Sequence, residues 1–199
     1  MSSIDLYLCR HGRTPLNAAG RLRGRLDPDL DLVGQSEARD LADLLSPLQP
    51  TRVVSSPLGR ARQTATPIAV AGGLGVEFDG RLIDRSYGQF DGALREDLIA
   101  QYGSINAAPG LEPETEVAER SVAALTDLAL SGASGPIVVV THDAVLRYAL
   151  DALVPDYTPT ELLPPRTGSW ALLRYTDGVW ELIQADSKDD PIETALAER

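Results

Sequence analysis

Six short apolar stretches, separated by longer segments with helical periodicity, run along this 199-residue chain. Asp5 to Cys9 and Ile137 to Thr141 are continuous apolar runs, the pattern of strands covered on both faces. Arg52 to Ser55, Val76 to Phe78, Trp170 to Tyr175 and Val179 to Ile183 read as four further strands. Between them, Gln35 to Leu45 sets Ala38, Leu41, Ala42 and Leu45 on one helical face. Glu114 to Leu130 does the same with Val117, Val122, Leu125 and Leu128, and a shorter helical pattern spans Leu94 to Tyr102. This alternation predicts an α/β fold: a three-layer α/β/α sandwich around a mostly parallel central sheet. The tight turn Thr176-Asp177-Gly178 joins the last two strands into an antiparallel edge hairpin.

Element boundaries carry their own signals. Ser56 followed by Pro57 matches a helix N-cap and first helical position, which starts a helix over Pro57 to Ala71 and puts Arg60 near its first turn. Asp27, Asp29 and Asp31 alternate like the start of a calcium loop. Leu32 stands where the sharp-turn glycine belongs, however, and Ala38 where the bidentate glutamate belongs, so the aspartates read as loop caps. Gly132-Ala133-Ser134-Gly135 lacks the lysine of a nucleotide-binding loop and reads as the turn into the Ile137 strand. From Ala185 to Arg199 the chain is polar and acidic and is expected to fray. No repeat or linker divides residues 1–199, so a single domain is expected, long enough to bury roughly 70% of its unfolded surface.

A net charge of −11 argues against nucleic-acid binding, which needs a basic face to displace counterions. No apolar run reaches the ~18 residues of a membrane span, and the first residues lack the basic and apolar regions of a signal peptide. A cytoplasmic location without membrane association is expected. The single cysteine, Cys9, sits inside an apolar run as a small core residue; no arginine follows at the spacing a thiolate phosphatase needs. The positive charge is unevenly placed. Arg10, Arg13, Arg21, Arg23 and Arg25 fall close together, and all but one of the 18 basic residues are arginine. The planar guanidinium matches a phosphate or carboxylate, so a small anionic ligand is implied.

Chemistry concentrates where two strands end. Arg10-His11-Gly12 closes the first apolar run, and His142, the other histidine, closes the Ile137 run. Ligands of open α/β sheets sit at such carboxyl ends. Two histidines 131 residues apart, without a cysteine partner or a helical histidine pair, make a poor metal site; nucleophilic catalysis suits them better. Arg10 and Arg60 can then donate charge-assisted hydrogen bonds to a dianion.

These residues resemble the histidine phosphatase superfamily, also called the phosphoglycerate mutase-like family. The resemblance spans Ile4 to about Tyr175 and rests on Leu8-Cys9-Arg10-His11-Gly12-Arg13-Thr14 with Asn17, on Gly24, Leu32 and Gly34, on Ser55-Ser56-Pro57-Leu58-Gly59-Arg60-Ala61 with Gln63-Thr64-Ala65, and on Val140-Thr141-His142. It implies a two-step phosphoryl transfer through a phosphohistidine on His11. Arg10, Arg60 and His142 would hold the transferring group, an acidic residue would protonate the leaving oxygen, and Asn17 with Arg23-Gly24 would line the substrate pocket. The scheme requires neither metal nor cofactor.

Two positions depart from the family pattern. Asp84 stands where a glutamate is usual, one methylene shorter, and about 1 Å at a reacting centre is worth roughly a hundredfold in rate. Either the backbone compensates, or the acid role passes to Asp143, since His142-Asp143 resembles the His-Asp pair of the acid phosphatase branch. Asp143 also reads as an N-cap for a helix beginning near Ala144. Arg13 replaces a residue that is commonly acidic, which predicts a pocket favouring substrates with extra negative charge.

Hydrolase and mutase share the first step. The family's mutases carry longer and more basic inserts than residues 85–135, which offer only Arg85, Arg95 and Arg120. Hydrolysis of a small phosphorylated metabolite is therefore expected. A phosphoglycerate mutase-type phosphotransferase and a noncatalytic binder of phosphorylated ligands are the alternatives. Dimers are frequent in the family, so the resemblance allows a homodimer, but no apolar stripe marks an interface and the sequence leaves the oligomeric state open.

Overall fold

The computed structural model describes residues 3–154 and 166–186. In chain order the elements are strand β1 (Ser3–Arg10), helices α1 (Pro15–Ala18) and α2 (Leu32–Leu45), strand β2 (Arg52–Ser55), helix α3 (Gly59–Ala71), strand β3 (Val76–Phe78), helices α4 (Arg95–Tyr102) and α5 (Glu114–Ala129), strand β4 (Ile137–Thr141), helix α6 (Asp143–Leu153), and strands β5 (Trp170–Thr176) and β6 (Val179–Ala185). The six strands form one sheet in the order β3-β2-β4-β1-β5-β6. β1, β2, β3 and β4 run parallel, while β5 pairs antiparallel with both β1 and β6.

Period-two alternation within the apolar runs builds the layers. Tyr7 and Cys9 of β1, with Val138 and Val140 of β4, face one side and pack against Leu41 and Leu45 of α2 and Ala65 and Ile68 of α3. Leu6, Leu8, Ile137 and Val139 face the other, against Leu125 and Leu128 of α5 and Leu146 and Leu150 of α6. Each such fully buried aliphatic side chain contributes about 1.5–3 kcal/mol from apolar burial. A small third core of Leu22, Tyr87, Leu98 and Ala108 ties the segment after α1 to the insert carrying α4.

Three expectations need correction. In α5 the buried face carries Ser121 and Ala124, whereas Val122 is only half-buried: the stripe follows 3.6 residues per turn, and a polar Ser121 can lie inward because its hydroxyl donates to the Val117 carbonyl at 2.8 Å. Helix α3 begins at Gly59, two residues later than expected, for the reason given below. Ala185 belongs to β6 and pairs with Ala171, and Asp186 N–H donates to the Trp170 carbonyl; the remainder of the expected frayed tail lies outside the described residues. No helix among the described residues is long and apolar enough to cross a membrane.

Candidate active site

Parallel pairing of β1 with β4 sets Arg10 opposite Thr141, so both chains leave the sheet at the same edge. His11 and His142 follow directly, fully buried, with ring centroids 5.1 Å apart. Gly12 makes the exit after His11 possible: a Cβ there would meet the Gly34 carbonyl oxygen at 2.4 Å, where the start of α2 packs against this loop. Gly12 N–H donates to Thr64 Oγ1 at 2.9 Å, so α3 also holds the turn.

His11 Nδ1 lies 2.7 Å from the Gly12 carbonyl, and Arg60 Nε donates to His11 Nε2 at 3.3 Å. A carbonyl accepts only, so the proton sits on Nδ1 and Nε2 keeps its lone pair. Burial, then the neighbouring His142, then Arg60, Arg10 and Arg23 hold His11 well below the ordinary imidazole range. His142 is held low as well, by burial and then by Arg60, Arg23 and Arg10. Both rings are therefore neutral at pH 7, as burial among cations requires.

Arg60 organises the cluster. It is fully buried, and every nitrogen of its guanidinium donates: Nε to His11, Nη1 to the Leu26 carbonyl at 2.7 Å, Nη2 to the Gly24 carbonyl at 3.0 Å and to Asp84 Oδ2 at 2.9 Å. Asp84, 1% exposed, accepts the Arg85 N–H on Oδ1, and its Oδ2 lies 3.8 Å from His142 Nδ1. Buried ion pairs of this kind persist only when such hydrogen bonds offset desolvation. Gly24 takes φ +52°, and a Cβ there would stand 1.9 Å from Asp91 Oδ1. Its contribution is a carbonyl aimed at Arg60.

Arg10 is also buried, at 7% exposure, and Arg23 is half-buried with its Nε enclosed and without a hydrogen-bond partner among the described residues. These are the two members of the arginine cluster whose fields act on both histidines. Arg13 instead pairs with Asp31 at 2.8 Å, Arg21 donates to the Gly92 carbonyl, and Arg25 pairs with Glu112. The Arg13 charge is engaged at the start of α2, where Asp31 is the N-cap. Asn17 Oδ1 accepts from Thr14 N–H and Oγ1, completing a capping box on α1, so its side-chain oxygen serves the helix. Asp143 is the first residue of α6, not its N-cap; His142 occupies that position, and the Asp143 carboxylate accepts Arg147 Nε at 2.8 Å.

Two site residues were misread from the sequence. Ser56 does not cap α3; its hydroxyl lies 2.7 Å from His142 Nε2. The cap comes from Asp27, whose carboxylate accepts the Gly59 and Arg60 N–H groups and also meets Arg60 Nη1. Local Ser-Pro spacing gave the wrong capping residue because the acceptor lies on a loop 32 residues away. Cys9 is a core residue whose thiol is pushed up by burial. No cluster of three histidine, cysteine, aspartate or glutamate side chains suited to a metal ion occurs among the described residues.

Residues 6–187 match the sequence profile of the histidine phosphatase superfamily, branch 1. The chain belongs to this superfamily. It is 32% identical over 165 residues to a glucosyl-3-phosphoglycerate phosphatase of Mycolicibacterium vanbaalenii, covering 75% of this chain and 73% of that protein. It is 33% identical over 147 residues to a probable phosphoglycerate mutase, GpmB, of Salmonella paratyphi C, covering 68% of each. Among solved structures, a mycobacterial glucosyl-3-phosphoglycerate phosphatase superposes with TM-score 0.81 at 28% identity, over 94% of this chain and 100% of that one. A phosphoglycerate mutase from Bacillus anthracis shares the fold, with TM-score 0.82 at 22% identity over 100% of this chain and 98% of that one. This histidine phosphatase thus has the phosphoglycerate mutase-like architecture, a mostly parallel sheet with antiparallel strands at one edge.

Proposed function

We propose that the protein is a phosphatase that hydrolyses small phosphate monoesters through a phosphohistidine on His11. One observation carries this reading: His11 is a neutral imidazole whose Nε2 lone pair faces Arg60 inside a buried cluster of cations. Nε2 attacks phosphorus as the ester P–O bond breaks, and the leaving oxygen takes a proton from a carboxyl group. Water then attacks the phosphohistidine, gives its proton to that carboxylate, and releases inorganic phosphate with the His11 lone pair restored. Arg10 and Arg60 offset the charge that develops on the phosphoryl oxygens.

Asp84 is the proton donor in this scheme. Its carboxylate shares Arg60 with His11 and lies 3.8 Å from His142, whereas the Asp143 carboxylate is engaged by Arg147. The shorter side chain still reaches the Arg60 guanidinium, at 2.9 Å. His142, steadied by Ser56, completes the phosphate pocket. Hydrolysis is favoured over mutase chemistry by the insert. Of the three arginines of the insert, Arg85 donates to the Glu112 carbonyl, Asn106 and Tyr148, and Arg120 to Glu112 and to the Arg81 carbonyl, which leaves Arg95 alone to retain a bisphosphorylated intermediate. The phosphatase among the relatives, named for glucosyl-3-phosphoglycerate, supports a phosphorylated metabolite as substrate. A cytoplasmic enzyme acting as a homodimer remains part of the proposal.

Phosphate release from p-nitrophenyl phosphate tests the reading. The wild-type protein is expected to turn over with a chelator present and to form an acid-labile phosphoenzyme. His11→Ala is expected to do neither. Ligand binding without turnover by the wild type would instead favour the noncatalytic alternative.

A further inference from the structure

Asp84 lies outside any helix or strand, between the single 3₁₀ turns Gly80–Leu82 and Gly88–Phe90. A carboxyl group on one methylene has little reach of its own, so the backbone on either side decides where it stands. That backbone is held from two elements. On β4, Thr141 Oγ1 donates to the Leu82 carbonyl at 2.8 Å. From α5, Arg120 Nη1 donates to the Arg81 carbonyl, and Nη2 to the carbonyl of Asp84 itself at 3.4 Å. Beyond the acid, the Ser86 N–H donates to Glu112 Oε2 at 2.8 Å, and the Ser86 carbonyl accepts the Glu112 N–H at 3.0 Å. Glu112 and Arg120 are joined in turn, Nε to Oε1 at 2.8 Å and Nη2 to Oε2 at 3.3 Å. One two-pronged ion pair thus grips the chain on both sides of Asp84.

The pair is largely enclosed, its side chains 18% and 12% exposed. Burial opposes ionisation of Glu112, but Arg120 and then the Ser86 N–H hold its carboxyl below the ordinary range, so both partners are charged at pH 7. Each nitrogen of the Arg120 guanidinium donates within the protein, so this arginine acts through what it holds and not on a substrate. We propose that the Arg120–Glu112 pair is a positioning clamp for the acid: it fixes residues 81–86 so that the Asp84 carboxyl stands at the leaving oxygen while His11 attacks phosphorus. This rests on the phosphatase reading above, with Asp84 as proton donor. A shift of about 1 Å at a reacting centre is worth roughly a hundredfold in rate, so a partial loosening of this segment has a measurable effect.

The test is Arg120→Lys, which keeps the positive charge that also reaches His142 but cannot bond Glu112 and two carbonyls at once. It is read as kcat/KM, which reports formation of the phosphoenzyme, for two esters. The leaving oxygen of glycerol 3-phosphate needs a proton, and that of p-nitrophenyl phosphate does not. Arg120→Lys is expected to lower kcat/KM about tenfold for glycerol 3-phosphate and less than about twofold for p-nitrophenyl phosphate. With Asp84→Asn already present it is expected to cause no further loss for glycerol 3-phosphate, because the clamp then has no acid to place. Glu112→Gln still accepts the Ser86 N–H but loses the ion pair, and is expected to show the same selectivity, which keeps the test open should Arg120→Lys not fold. An equal fall for both esters, the mark of a structural role, overturns the proposal, as does a full further loss in the Asp84→Asn background. Asp84→Asn alone separates the clamp from the reading it rests on. A selective loss for glycerol 3-phosphate in Asp84→Asn, with none in Arg120→Lys or Glu112→Gln, overturns the clamp and leaves the acid in place. A ratio of the two esters unchanged by Asp84→Asn overturns the acid assignment, and the clamp with it.

Discussion

Arg60 Nε donates to His11 Nε2 across 3.3 Å, joining the first turn of α3 to the end of β1. Together with the Gly12 carbonyl at Nδ1 it sets the His11 tautomer, and because the same guanidinium holds Asp84, it joins the proposed nucleophile to its proposed acid. Four predictions follow from groups in this cluster.

Replacing Arg60 by lysine keeps a positive charge but removes the planar fork that donates to His11, Leu26, Gly24 and Asp84. kcat/KM for p-nitrophenyl phosphate is expected to fall by at least about 10²-fold. Because Asp84 then loses a buried partner, stability is expected to drop by about 3 kcal/mol, read from urea unfolding. Wild-type kinetics in this variant would rule out Arg60 as the organiser of the site.

The acid role is separable by leaving group. Asp84→Asn is expected to lower kcat about 10²–10⁴-fold for an alkyl phosphate, whose leaving oxygen needs a proton, and far less for p-nitrophenyl phosphate, whose leaving group does not. Asp143→Asn, which loosens Arg147, is expected to stay within about tenfold for either ester. The opposite pattern would transfer the role to Asp143.

Both histidines are held well below the ordinary imidazole value of about 6.5, by burial first and then, for His11, by His142 and the neighbouring arginines, and for His142 by Arg60, Arg23 and Arg10. In the unfolded chain they take up protons near 6.5, so below that value the unfolded state binds more protons than the folded one. The stability tied to the two neutral rings is therefore present above about pH 7 and lost as pH falls through 6.5, by at most about 1.4 kcal/mol per pH unit for each ring. Urea midpoints measured at about pH 7.5 and about pH 5.5 check the sign. A midpoint that does not fall on acidification would mean that the rings are not buried in neutral form.

Gly24→Ala places a methyl group 1.9 Å from Asp91 Oδ1 at a position with φ +52°. Asp91 also accepts the Tyr87 and Arg25 N–H groups, so it cannot move away freely. The expected result is a loss of about 1–3 kcal/mol in stability together with reduced kcat/KM, as the Gly24 carbonyl shifts off Arg60. A thermal melt beside initial-rate kinetics checks both effects. Lost stability with intact activity would confine Gly24 to a structural role.

Ser56 and Asp27 show where sequence reading failed and why. A Ser-Pro pair has the local signature of a helix cap, yet the Ser56 hydroxyl is taken by His142, 86 residues away, and the vacated capping role falls to Asp27. Arg13 and Asn17 show the converse: their motif positions pointed to substrate, whereas the Asp31 ion pair and the Thr14 capping box engage their side chains locally. The periodicity of α2 was correctly read because Ala38, Leu41, Ala42 and Leu45 all turn inward; that of α5 was off by one position because a small serine can be buried when it bonds back to its own helix.

The sequence by itself determined the strands, the order of helices between them, and the two strand-end histidines, since these follow from short-range periodicity and from what can close an apolar run. It also carried family membership, because the motifs around His11, Arg60 and His142 occur in order and at spacing. Only the tertiary structure decided which side chains share an atom: that Arg60 meets both His11 and Asp84, that Asp143 is engaged by Arg147, and that Arg120 meets the carbonyls of both Arg81 and Asp84. Hydrogen bonds and ion pairs act over about 3 Å, and residues tens of positions apart come within that range only when the sheet register and the helix packing have been set.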